Sequence, residues 1–85
     1  MEFLFNDLSD FNSLPINYNV YKISLDRYYI EVLKTGKEHH KTADFVIYFV
    51  DNNWITYNPR FINQALEIGR QIGIFYKKDN PKNTD

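Results

Sequence analysis

Cysteine is absent from this 85-residue chain, and glycine and proline occur only three times each. Without cysteine there is no disulfide staple, no thiol nucleophile and no thiolate metal site. With three scattered glycines there is no glycine-rich loop to cradle a phosphate. No apolar run approaches the roughly 18 residues of a membrane span, and Met1 to Asp7 lacks the basic start and long apolar stretch of a secretory signal. A chain neither secreted nor membrane-spanning, in a cytoplasmic setting, is the expectation. An excess of one charge is also missing: 10 Lys and Arg stand against 11 Asp and Glu, for a net charge of −1. Such a balance produces no long-range field to gather polyanions or to steer toward an acidic membrane.

Aromatic residues are present in quantity, with 7 Phe, 7 Tyr and 1 Trp making up 18% of the chain. Each ring buries roughly 150 to 250 Å². A domain this small buries only about 60 to 65% of its unfolded surface, so some rings are expected at the surface, where Tyr and Trp favour interfaces. The abundance of Asn, Ile, Lys, Phe and Tyr is what AT-rich codons produce, which points to a low-GC bacterium, its phage or another mobile element.

The apolar pattern predicts a small α+β domain over residues 1–78 and a disordered tail over 79–85, where no apolar residue occurs. Leu4, Leu8 and Phe11 recur at helical spacing, which suggests a short N-terminal helix over 3–12, ended by Pro15. The period then changes to two. Strands are expected at about 18–25, 28–34, 43–50 and 54–57, forming an antiparallel sheet of three to four strands. The 43–50 strand is apolar on both faces, so it should be central or covered by a partner. Asp51-Asn52-Asn53 tolerates left-handed backbone and predicts a hairpin. Asn58 as N-cap and Pro59 at the first helical position open a helix over 58–72. Its core stripe is Phe61, Ala65, Ile68 and Ile72, and Gly73 is a natural stop. Ile74-Phe75-Tyr76 then reads either as a last strand or as a further helical turn.

Candidate chemistry is sparse. Lys34, Lys37, His39, His40 and Lys41 form the one dense cationic cluster and suit a contact loop for an acidic partner. Adjacent histidines diverge on extended backbone, and no paired ligand spacing is present, so no metal and no cofactor is expected. Ser9, Ser13 and Ser24 sit in no nucleophile motif, and the spacing of Asp26, Glu31, Asp44 and Asp51 favours no acid and base pair. An enzyme is not expected.

The predicted helix, three strands and helix resemble the element order of double-stranded-RNA-binding domains. Those domains use lysines at the start of the last helix to clamp phosphates, whereas this chain has the single cation Arg60 there. A stacking platform for single strands, from Tyr28, Tyr29, Tyr48, Trp54 and Tyr57, is the other nucleic-acid reading. The near-neutral charge favours a non-enzymatic protein-binding module instead. It would contact its partner through the basic 34–41 loop, Trp54 and Tyr57, or pair with a second copy along a sheet edge. An inhibitor or modulator of a host protein is its concrete form.

Overall fold

The structure is a computed structural model that describes residues 1–11, 14–33 and 44–79. Along the chain run β1 (Glu2–Phe11), β2 (Leu14–Ser24), β3 (Arg27–Leu33), β4 (Phe45–Val50), β5 (Asn53–Ile55), a 3₁₀ turn (Pro59–Phe61) and α1 (Ile62–Asp79). The strands form one antiparallel sheet in the order β1-β2-β3-β4-β5, and the helix lies on one face. The expected α+β class holds, with five strands.

The predicted N-terminal helix is instead β1, paired with β2 from Glu2↔Lys22 to Phe11↔Leu14. Its helical spacing was misleading because a bulge between Phe3 and Phe5 interrupts the period-two pattern. The bulge lets Leu4 and Phe5 both pack against the core, while Leu8, the middle of the supposed helical stripe, is 63% exposed. The likeness in element order to double-stranded-RNA-binding domains falls with that helix, since the order among the described residues is five strands and then one helix.

Leu25 and Asp26 turn β2 into β3, so 14–24 and 27–33 form a hairpin. The Ser24 hydroxyl donates to Asp26 at 2.8 Å, and the Asp26 carbonyl accepts from the Phe49 amide at 2.9 Å, which ties this turn to β4. The second turn is as its residues dictate. Asp51 and Asn52 adopt φ of 51° and 64°, the two left-handed positions of a tight hairpin, and β4 pairs with β5 through Val50↔Asn53. Strand β4 lies between β3 and β5, as a strand apolar on both faces should.

Asn58 caps the helical region, its side chain accepting from the Arg60 amide at 3.1 Å, with Pro59 next in place. Phe61, Ala65, Ile68 and Ile72 are all buried, against Tyr18, Val20, Tyr28, Ile30, Phe45 and Ile47 of the sheet. Gly73 does not end the helix. The helical alternative for 74–76 is the observed one, because Phe75 stacks on Phe5 at 5.2 Å and Lys77 and Lys78 favour the negative end of the helix dipole. Of the predicted disordered tail, Asp79 ends α1 and residues 80–85 lie outside the described residues.

Candidate functional site

A strand sends alternate side chains to opposite faces. Since Val20, Tyr28, Ile30 and Ile47 turn toward α1, their neighbours Tyr21, Tyr29 and Val46 turn away from it. Register then aligns these neighbours. Phe3 pairs with Tyr21, Tyr21 with Tyr29 and Tyr29 with Val46, so one row crosses four strands on the face that the helix does not cover. The rings meet edge to face, with Phe3 and Tyr21 centroids 5.6 Å apart and those of Tyr21 and Tyr29 6.3 Å apart. Beside this row a second one joins Arg27, Tyr48 and Ile55, with the Arg27 guanidinium 5.4 Å from the Tyr48 ring centre.

Two carboxylates hold the tyrosines in place. The Tyr21 hydroxyl donates to Glu31 Oε1 at 2.8 Å, and the Asn19 amide donates to the same oxygen at 3.0 Å. Asn6 in turn donates to Asn19 Oδ1 at 3.0 Å, so a polar line crosses β1, β2 and β3 next to the aromatic row. The Tyr29 hydroxyl donates to Asp44 Oδ2 at 2.6 Å. The other oxygen, Oδ1, accepts from the Val32 amide at 2.9 Å, which stands past the last β3 to β4 pair, Ile30↔Phe45. Asp44 thus adds a side-chain bond to β3 beyond the pairs that β3 and β4 make among the described residues. Donation to Glu31 raises the Tyr21 pKa above the usual phenol value, and donation to Asp44 does the same for Tyr29, because each proton is shared with an anion. Both rings are therefore neutral donors at physiological pH.

The residues singled out from the sequence are distributed differently. Lys34, Lys37, His39, His40 and Lys41 lie outside the described residues. Trp54 is on the helix side of β5, between Phe49 at 4.8 Å and Tyr28 at 5.6 Å. Tyr57 is 78% exposed and meets Tyr48, so it borders the open face. Trp54 and Tyr57 are consequently split between two faces, and so is the imagined stacking platform: Tyr28 and Trp54 turn inward, Tyr29, Tyr48 and Tyr57 outward. The sequence reading did not group Phe3, Tyr21 and Tyr29. The alternation around Tyr21 and Tyr29 is visible in the sequence, but Phe3 falls in the segment expected to be helical, and bulges between Phe3 and Phe5 and between Lys22 and Ser24 set which residue faces which.

Among the described residues no group of three or more His, Asp or Glu side chains is arranged to hold a metal, and no helix is long and apolar enough to cross a membrane. No protein-family model, curated protein or solved structure matches the chain.

Proposed function

We propose that this chain is a non-enzymatic, cytoplasmic protein-binding module that docks through the open face of its sheet. The row of Phe3, Tyr21 and Tyr29 carries the reading. These rings present apolar area already fixed by edge contacts and hydrogen bonds, so a partner that covers them loses little side-chain freedom in doing so. Preorganised tyrosines with a polar rim are a common protein-binding surface.

Charge selects the partner. Among the described residues around the row, Glu31 and Asp44 outnumber Arg27, whose guanidinium lies over the Tyr48 ring. A segment presenting Arg or Lys among apolar residues would meet both aromatic faces and carboxylates, whereas phosphates would meet like charge. The expectation of an acidic partner rested on the basic 34–41 run; the described face favours a cationic one.

The test is affinity capture with the natural chain, with Tyr21→Ser/Tyr29→Ser on the open face, and with Leu66→Ser on the exposed side of the helix. A protein held by the natural chain and by Leu66→Ser but lost with the double variant is the expected result. Retention by the double variant would overturn the reading. So would a sub-micromolar, steeply salt-dependent shift of a single-stranded oligonucleotide, since aromatic rows on sheets also stack bases.

A further inference from the structure

The two edges of the sheet are guarded differently. An edge strand offers unpaired N–H and C=O groups to any extended chain, and folds blunt such an edge by keeping it short or by placing Lys, Pro or a bulge in it. The β5 edge is three residues long. The β1 edge is ten, with no Lys and no Pro. Its bulge lies between Phe3 and Phe5, and from Phe5 to Phe11 its pairing with β2 runs without a shift.

Register decides which amides β1 turns outward. Successive residues of an antiparallel strand hydrogen-bond to opposite sides. The Phe49 amide donates to the Asp26 carbonyl at one end of β3 and the Val32 amide donates to Asp44 at the other, so Tyr28, Ile30 and Val32 bond toward β4. Glu31 and Leu33 then bond toward β2, to their partners Asn19 and Asn17. Tyr18, between those two, bonds toward β1 and its partner Asp7. Asn6 and Leu8, on either side of Asp7, therefore direct their amides off the sheet. The Leu8 amide agrees with this, since its acceptor is the Asp7 side chain, Oδ1, at 2.8 Å.

Asp7 is thus the guard of this edge, and a removable one. Its side chain lies on the helix side of the sheet, where Oδ2 accepts from the Tyr18 hydroxyl at 3.3 Å and Gln71 and Lys78 line the same shallow pocket. Among the described residues the one salt bridge joins Glu67 and Arg70, so none of their cations is paired with Asp7. A Lys or Arg arriving beside Asp7 would draw its carboxylate off the Leu8 amide and free that amide for the carbonyl of a new strand. An acidic residue there would be repelled and would leave the guard in place. A residue set opposite Asp7 shares its face, and the residues flanking it share the open face with exposed Leu8. The pattern that fits is apolar, basic, apolar. Charge rejects a second copy, because β1 carries Glu2, Asp7 and Asp10 and neither Lys nor Arg, so two such edges would bring acid to acid.

We propose that the β1 edge takes an extended segment of a partner protein as a sixth strand, with Lys or Arg opposite Asp7 between apolar residues that cover Leu8. Backbone hydrogen bonds supply the affinity and Asp7 the selection. The segment shares the cationic character inferred for the docking partner, but the edge uses neither Tyr21 nor Tyr29, so the two surfaces are tested apart.

The probes are the end-blocked peptide Thr-Val-Lys-Val-Lys-Val-Thr, the same peptide with Glu in place of both Lys, and the Lys peptide N-methylated at its valines, whose amides would face β1. Amide chemical shifts of the isotope-labelled chain are the readout. The Lys peptide should give saturable shifts centred on the Asn6 and Leu8 amides, the Glu peptide should bind at least about tenfold more weakly, and the N-methylated peptide should give no saturable shifts there. Asp7→Asn keeps an acceptor for Leu8 and Tyr18 without the charge, so it should melt near the natural chain and bring the Lys and Glu peptides within about threefold of each other. Tyr21→Ser/Tyr29→Ser should bind the Lys peptide as the natural chain does. Absence of saturable shifts at Asn6 and Leu8, or equal binding of the N-methylated peptide, would overturn strand addition. An undiminished preference for Lys in Asp7→Asn would overturn the role given to Asp7. Loss of the Lys peptide in the tyrosine variant would move the contact to the open face, and self-association of the chain with shifts at the same two amides would overturn the choice of a foreign strand over a second copy.

Discussion

Gly69 is the seat of Trp54: the indole lies so close to the helix backbone that no side chain fits between them. Alanine at Gly69 would gain helix propensity of up to about 1 kcal/mol and lose more to displacement of a ring anchored on a short strand. Gly69→Ala is expected to destabilise by about 1 to 3 kcal/mol, in the range of overpacked cores. Gly73→Ala, with open space, should stabilise by about 0.5 to 1 kcal/mol. Urea denaturation of the two variants decides it, and equal shifts in one direction would contradict the assignment of the two glycines.

The helix holds the sheet through one stripe. Ile68 is 1% exposed and Leu66, two positions earlier, is 54% exposed. Ile68→Ala should cost about 2 to 5 kcal/mol by transfer and cavity formation. Leu66→Ala should change stability by less than about 0.5 kcal/mol. Midpoints of thermal or urea unfolding separate them, and a small loss at Ile68 would mean that the helix is not packed as described.

Tyrosine ionisation should set the alkaline limit. Burial first, and then the neighbouring Asp7 carboxylate for Tyr18 and the Tyr76 hydroxyl for Tyr28, raise both phenols above the value of 10.0 that they have in an unfolded chain. The folded state thus keeps protons that the unfolded state releases, so their contribution to stability is complete below about pH 10 and is lost as pH climbs beyond it. Melting temperature is expected to be insensitive to these groups up to about pH 9.5 and to fall steeply above about 10. Tyr18→Phe/Tyr28→Phe should lower stability at pH 7 but flatten the alkaline loss. An unchanged alkaline slope in that variant would refute the assignment.

Asp44 is expected to have two separable roles. Asp44→Ala removes the acceptor of the Tyr29 hydroxyl and of the Val32 amide. At this exposed position the loss should be about 0.5 to 1.5 kcal/mol. The Tyr29 phenol should return toward its ordinary pKa, and Asp44→Asn should restore much of the stability and part of the raised pKa, because its carbonyl still accepts the hydroxyl proton while the charge is gone. Ultraviolet titration of phenolate, with a Tyr29→Phe control to identify the band, reads this out.

How far the residues alone lead is clearest at the helix and at β1. The stripe of Phe61, Ala65, Ile68 and Ile72, the Asn58 cap and the Asp51-Asn52 turn were legible because each is a local matter of period or backbone geometry. The identity of β1 was not, since its bulge breaks the period by which a strand is read. Nor was the end of the helix, because Gly73 is a stop only where tertiary contacts do not continue the helix, and here Phe75 finds Phe5.

The open face follows the same division. By its alternation the sequence determined that Tyr21 and Tyr29 belong to strands with one apolar side. Continued without a bulge from Ser24↔Arg27, the pairing would set Tyr21 against Ile30 and so toward the core. The one-residue shift between Lys22 and Ser24 sets it against Tyr29 instead, and a second shift in β1 brings Phe3 into line. Side-chain period is a property of one strand, readable along the chain, whereas register is a property of two strands and is decided only when they pair. Likewise, two glycines four residues apart look alike in the sequence, and only packing decided that Gly69 would receive Trp54 and Gly73 would stay open.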